Sequence, residues 1–162
     1  MSVKEINEEN REKVVSFFRE HWGSSEMVIS SGVYQCDKLA GFIFEENNQI
    51  IGLVTYVIKN YENEIEIISL DSLSEGKGIG SALIQKVESI AKQKRIEIVS
   101  LVTTNDNLNA LKFYQKRGYR IISIISDAVN NARKIKPSIP LIGNEGIPLK
   151  DELILKKIVS EN

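Results

Sequence analysis

Residues Glu75-Gly76-Lys77-Gly78-Ile79-Gly80-Ser81 constrain this chain more than any other stretch. Three glycines alternate, a strand-like run precedes them, and an amphipathic pattern follows at once. Glycine at every second position lets a backbone turn tightly and approach a ligand that a Cβ would hold away. A turn of this kind leading into a helix aims backbone N–H groups outward at the positive end of the helix dipole. The pattern predicts a strand, a loop and a helix start, with a phosphate or pyrophosphate as ligand. It is not a dinucleotide-binding fingerprint, because the third glycine is missing: Ser81 and Leu83 stand where it would be. It is not a Walker loop either, since Lys77 is followed by Gly78 and not by Ser or Thr.

The chain has 162 residues, which suits one domain spanning 1–162 with a sizeable core. A net charge of −1 gives no basic field for nucleic acid and no polybasic run for anionic lipid. The single cysteine, Cys36, excludes an internal disulfide and points to a reducing compartment. Met1-Ser2-Val3-Lys4-Glu5 lacks the apolar core of a signal peptide, and the apolar run Ile50 to Ile58 is too short to span a bilayer. A cytoplasmic protein is expected.

Periodicity lays out the remaining elements. Ser2 to Ile6 reads as a strand. Asn7 is placed to cap a helix over Glu8 to His21, with Val14, Val15, Phe17 and Phe18 inward and Gly23 ending it. Ser24 to Asp37 reads as irregular. Strands are expected over Gly41 to Glu45 and Ile50 to Ile58, with a turn at Asn47-Asn48-Gln49. Glu64 to Asp71 alternates, which predicts Glu64, Glu66, Ile68 and Leu70 on one face and Ile65, Ile67, Ser69 and Asp71 on the other. A helix from Ile79 to about Lys94 carries Leu83, Val87, Ile90 and Ala91 on one side. A strand over Ile96 to Thr103, a helix over Leu108 to Lys116 closed by Gly118, and a strand over Tyr119 to Ser126 follow. Asp127 is placed to cap a helix from Ala128 to Ile135. Pro137, Pro140 and Pro148 mark an irregular segment running to about Asp151. Its Ile139, Leu141, Ile142, Ile147 and Leu149 argue for a packed loop, and a long ordered loop of this kind reads as a lid or a sheet-edge cover. Leu153 to Val159 is the final strand.

A second constellation follows the Ile96–Thr103 strand: Asn107-Leu108-Asn109-Ala110-Leu111-Lys112-Phe113-Tyr114, then Gly118-Tyr119-Arg120. With the Gly loop, read as Glu75-x-x-Gly78-x-Gly80, it resembles the two signatures of GNAT-superfamily N-acetyltransferases, in the same order and separated by a helix and a strand. The departure is Glu75, where the family pattern has Arg or Gln. The resemblance covers about Glu64 to Ser126. It implies an α+β fold: a central twisted, mostly antiparallel sheet with flanking helices and two splayed parallel strands, Glu64–Asp71 and Ile96–Thr103. It also implies acetyl-CoA as co-substrate. Gly76, Lys77, Gly78, Ile79, Gly80 and Ser81 would hold the pyrophosphate, and a backbone N–H near Leu70 or Asp71 would hold the thioester carbonyl. Asn107 matches a cofactor-contacting Asn, and equally reads as a helix N-cap.

Acetyl transfer to a primary amine must first remove a proton whose pKa is near 10.4, at a cost of about 4.6 kcal/mol at pH 7. Glu66 and Glu64 are the candidate bases, sharing a strand face upstream of the cofactor loop, with Asp71 third. Tyr114 is carried over from the motif as the acid that protonates the CoA thiolate. Phe113 and Tyr119 read as core. His21, beside Trp22 near a helix end, reads as structural, and Cys36 has no partner for a metal or nucleophile role. Arg133, Lys134 and Lys136 read as a solvated face, or as a contact for an acidic substrate or the CoA 3′-phosphate. The expected activity is N-acetyl transfer from acetyl-CoA to a small amine or a protein N-terminus, without metal, nucleic acid or membrane. The alternative is a non-catalytic acyl-CoA-binding module of the same fold.

Overall fold

The computed structural model describes residues 2–159. Its elements are β1 (Ser2–Glu5), α1 (Arg11–Trp22), β2 (Glu26–Ile29), β3 (Gly32–Gln35), β4 (Ala40–Glu46), β5 (Gln49–Lys59), β6 (Glu64–Ser72), α2 (Ile79–Gln93), β7 (Ile98–Thr104), α3 (Leu108–Lys116), β8 (Arg120–Ile125), α4 (Ala128–Ile135) and β9 (Glu152–Ile158). Seven strands ladder in the order β1-β4-β5-β6-β7-β9-β8. The pairs β1–β4, β4–β5, β5–β6 and β8–β9 are antiparallel. Helix α2 crosses over between β6 and β7, the connection that parallel neighbours need. This is the mixed, mostly antiparallel α+β sheet that the sequence predicts. The described residues gather in two compact units, one of 2–27, 34–99 and 159, the other of 28–33 and 100–158.

In the first unit, β5 sets the two faces of the sheet. Leu53, Thr55, Val57 and Lys59 point one way; Gly52, Val54, Tyr56 and Ile58 point the other. Helix α2 covers the Gly52 face, since a Cβ at Gly52 would run into Ile79 and Leu83. Its buried Ile79, Leu83, Ile84, Val87 and Ala91 recur at helical spacing. Helix α1 buries Val14, Phe17 and Phe18 and ends at Gly23, whose φ of 75° and N–H bond to the Arg19 carbonyl stop the helix as expected. It lies over the Leu53 face: Trp22 reaches Asp71, the register partner of Leu53.

Strand β6 departs from the expected alternation. Thr55 pairs with Ser69 but Tyr56 pairs with Ile67, so Ile68 is an extra residue on β6. Such a bulge reverses the facing of everything beyond it. Glu64, Glu66, Ser69 and Asp71 stand opposite Lys59, Val57, Thr55 and Leu53 and therefore share one face. The Ser69 and Thr55 hydroxyls meet at 2.6 Å on it. Asp71 is thus on the face of Glu64 and Glu66 and not on the opposite one, while Leu70, opposite Val54, faces α2.

Other expectations change for identifiable reasons. Ser24 to Asp37 is not irregular: it contains β2 and β3, which pair with each other. The turn between them is held by Glu152, whose buried carboxylate accepts from the Ser30 N–H at 3.1 Å, a contact 122 residues away in sequence. Helix α1 starts at Arg11 and not at Glu8, because Asn7 and Asn10 cap each other's N–H groups first, at 2.8 and 3.1 Å.

In the second unit α3 stops at Gly118, where φ is 91° and the Tyr119 N–H returns to the Tyr114 carbonyl at 3.1 Å. Asp127 precedes α4, but its side chain makes no cap bond: it accepts from the Asn130 side chain, and its N–H donates to Asp151. The Pro-bearing segment is ordered by Arg133. Its guanidinium donates to the carbonyls of Ile139, Pro140 and Leu149. Asp106 takes the Asn144 N–H at 2.8 Å, and Ile142 bridges to Pro148. Ile139, Ile147 and Leu149 are half-buried, but Leu141 and Ile142 are 71% and 55% exposed, so the loop is tied down without burying all its apolar residues. Ile121, Ile122 and Ile124 of the edge strand β8 are exposed as well.

The tight seat of α2 on Gly52 can be tested. Gly52→Ala should lower stability by about 1–3 kcal/mol through overpacking against Ile79 and Leu83. Urea denaturation measures this, and an unchanged midpoint would show that α2 does not lie where it is placed.

Candidate functional site

The Gly loop connects β6 to α2. Gly76 and Gly78 take φ of 76° and 74°, the left-handed region that glycine enters without strain. A Cβ at either would project into open space. Gly78 is the N-cap of α2 and offers no side chain to its first turn, whose backbone ladder begins with the Ala82 N–H on the Gly78 carbonyl at 3.0 Å. Ile79 is buried and pins the helix start. The leading N–H groups of a helix have no carbonyl within it, and here they stand beside a loop without side-chain bulk. Glu75 and Lys77 are exposed. The loop offers backbone with open space at Gly76 and Gly78, and the Glu75 side chain is turned to solvent beside it.

The carboxylates of β6 have separate environments. Glu66 is buried and forms an ion pair with Lys59 at 2.6 Å. Burial works against the charge on Lys59, but Glu66, with Tyr34 and Glu62 nearby, more than offsets it and holds the ammonium above the ordinary lysine value. Glu64 is also buried. Asp71 lies nearest the loop in sequence. Its Oδ1 accepts from the Trp22 indole N–H at 3.2 Å, while its Oδ2 is shut from solvent with no hydrogen-bond partner. Burial pushes the carboxyl up to about 6, against the opposing pull of the Trp22 hydrogen bond and the nearby His21.

The first unit therefore brings together Gly76, Lys77, Gly78, Ile79, Gly80, Ser81, Leu70, Asp71, Glu64 and Glu66 on one strand–loop–helix run. Asn107 and Tyr114 belong to the second unit. Asn107 is the N-cap of α3, its side-chain oxygen accepting from the Ala110 N–H at 3.1 Å. Tyr114 is buried, edge-on to Phe113 and to Tyr119, whose rings lie 5.2 and 5.6 Å away. The His21 ring lies tilted on that of Phe17, 4.6 Å away, and Cys36 is buried. Arg133 is committed to the loop carbonyls named above. Among the described residues no group of three or more His, Cys, Asp or Glu side chains could hold a metal, and no helix is long and apolar enough to cross a membrane. The Trp22–Asp71 pair is the feature that pattern reading misses. The only hint is the chain's one tryptophan next to a helix-ending glycine.

Comparison with known proteins agrees with this geometry. The family described as "Acetyltransferase (GNAT) family" matches residues 7–119. An uncharacterized Bacillus subtilis protein, YxbD, is 51% identical over 148 residues, covering 91% of this chain and 92% of its own. An IAA acetyltransferase from Bacillus cereus superposes with a TM-score of 0.72 at 20% identity, covering 97% and 98% of the two chains. A Bacillus subtilis acetyltransferase solved in complex with CoA gives 0.65 at 17% identity, covering 96% and 97%.

The raised carboxyl of Asp71 makes a stability prediction. Its folded value of about 6 lies above the ordinary 3.8, so the fold favours the protonated form. That contribution is full below pH 3.8 and is lost as pH rises through about 6. Asp71→Asn, which carries no charge, should gain about 1–3 kcal/mol relative to the wild type between pH 4 and pH 8. Urea denaturation at the two pH values measures it, and a pH-independent difference would contradict the burial of the charge.

Proposed function

Because the chain belongs to the GNAT acetyltransferase family, we propose that it transfers the acetyl group of acetyl-CoA directly to the nitrogen of a primary amine. The observation that carries this reading is the glycine-opened loop at the start of α2, continuous with a strand that bears the buried carboxylates of Glu64 and Glu66. The residues present fit CoA: the backbone of Gly76 to Ser81 receives the pyrophosphate, and open space at Gly76 and Gly78 lets it approach. When bound, acetyl-CoA supplies an acetyl thioester as electrophile and a thiolate as leaving group.

This chain's residues do the rest. Backbone groups at Leu70 and Asp71 orient the carbonyl. A carboxylate on the shared face of Glu64, Glu66 and Asp71 takes the proton that leaves the amine. By likeness to the family motif, Tyr114 is the acid for the departing sulfur and Asn107, whose oxygen accepts from the Ala110 N–H, is the cofactor-contacting Asn. The whole of 1–162 acts as one acetyltransferase domain, in the reducing cytoplasm to which the single Cys36 points. The Pro-bearing segment, anchored by Arg133 and with Leu141 and Ile142 left outward, shapes acceptor choice. Small amines and protein N-termini are both acceptors of the right chemistry. The solved relatives of this fold include an aminoglycoside 6′-acetyltransferase and a ribosomal-protein-S18-alanine N-acetyltransferase.

Gly80 separates cofactor approach from backbone strain, because it sits inside the helix and not in the left-handed region. Gly80→Val should fold and lose at least tenfold in CoA affinity by calorimetry. Tyr114→Phe should keep CoA affinity and lose turnover by about 10²–10⁴-fold. Wild-type CoA affinity in folded Gly80→Val would remove the cradle from the account.

A further inference from the structure

We propose that β8 is an edge built to pair with itself: two copies of this chain align their β8 strands antiparallel about a two-fold axis and form a dimer. The seven-stranded sheet ends at β8. An edge strand turns a row of backbone N–H and C=O groups outward, and chains that stay monomeric blunt such an edge with short length, charge or proline. The opposite edge of this sheet is blunted in that way. Strand β1 has only four residues, Lys4 and Glu5 among them, and Lys4 is ion-paired with Glu45 at 2.9 Å. Strand β8 is not. Its six residues are Arg-Ile-Ile-Ser-Ile-Ile, without proline or acid, and the first five are exposed.

The isoleucines form a strip and not a scatter. Ile121 and Ile124 stand opposite Leu155 and Leu153 of β9, so both lie on one face of the sheet. They are 43% and 63% exposed. Ile122, the extra residue of the bulge between them, is 56% exposed, so the irregularity that could blunt the edge adds another apolar side chain to it. Single apolar side chains on a surface are ordinary. Consecutive β-branched residues on an open sheet edge are a template for another strand.

Charge and symmetry name a second copy as that strand. Arg120 opens β8 and Asp127 follows it, and neither has an ion pair among the described residues. Antiparallel pairing brings the cation of each strand to the anion of the other, whereas parallel pairing sets like charges side by side. A two-fold axis through the middle of the ladder keeps each face on its own side. The Ile121 and Ile124 side chains of both copies therefore merge into one cluster, and the contact closes after two copies. A net charge of −1 opposes the approach little. Six paired residues with flanking isoleucines make an interface near the low end of specific ones, about 1,000 Å² in total, so micromolar association is expected.

Dimerisation is independent of the acetyl-transfer chemistry, and it is tested without acetyl-CoA. Sedimentation equilibrium from about 1 µM to about 500 µM brackets an interface of this size. The wild type should pass from monomer to dimer and no further. Ile122→Lys and Ile124→Lys lie at exposed positions and should fold, which circular dichroism checks. Each should weaken the dimer about tenfold or more, because lysine on an edge opposes pairing. Arg120→Asp should weaken it about threefold or more, and adding Asp127→Lys should restore it, because the opposite charges then meet again in exchanged places. Amide hydrogen exchange locates the contact: the N–H groups of 120–125 should gain protection as concentration rises through the association range, while those of β1 should not. A wild type that stays monomeric throughout would overturn the proposal and leave the strip to a different partner. A dimer unweakened by either lysine, or exchange at 120–125 that ignores concentration, would place the contact elsewhere and overturn it as well. Failure of the double charge exchange to restore what Arg120→Asp removes would overturn the antiparallel arrangement.

Discussion

One extra residue in β6 decides which of its side chains share a face. A two-residue period would put Asp71 against α2, among Ile79, Leu83 and Val87, where a carboxylate has no partner. The bulge at Ile68 moves it to the α1 face, where Trp22 waits. The same extra residue brings Ser69 to Thr55 and aligns both with Glu66 and Glu64. Bulges re-aim side chains at the cost of one unpaired backbone position. Here the re-aiming falls in the last strand before the Gly loop, so the acidic face and the proposed anion cradle lie on one continuous piece of backbone.

The two halves of that piece are built on opposite principles. The cradle works by leaving things out: glycines at φ near 75°, no capping side chain, and open space where a Cβ would stand. The acidic face works by enclosure. Burial holds Asp71 above its ordinary value and leaves one of its oxygens unsatisfied. Each departs from what stability alone would select, and departures of this sort gather at functional sites. The buried stripes of α1 and α2, packed on opposite faces of the sheet, supply the rigidity that keeps both in place.

Much of this was legible in the residues, because much of it is local. Alternating glycines before an amphipathic run announce a loop and a helix start. Gly23 and Gly118 announce helix ends, and both stop their helices through the left-handed geometry expected of them. The parts that were not legible depend on partners distant in sequence. Whether β6 bulges is decided by how it pairs with β5, and one inserted residue leaves no mark on an alternating pattern. The β2–β3 hairpin is only four residues a side and owes its turn to Glu152, near the other end of the chain. Arg133 looked like part of a solvated basic face, yet its Nε and Nη2 donate to carbonyls that only the folded Pro-bearing segment brings within reach. Asp71 was misplaced by the same logic that correctly paired Glu64 with Glu66: alternation holds up to the bulge and fails beyond it.

The central claim is that this strand–loop–helix run carries acetyl transfer and not merely CoA binding. Thiol release from acetyl-CoA across a panel of primary amines, with the acetylated product counted by mass spectrometry, measures it most directly. The account predicts release that requires an amine and matches N-acetylated product one for one. Tight CoA binding with no amine-dependent release on any member of the panel would contradict it, and would make the chain a binding module built on an acetyltransferase fold.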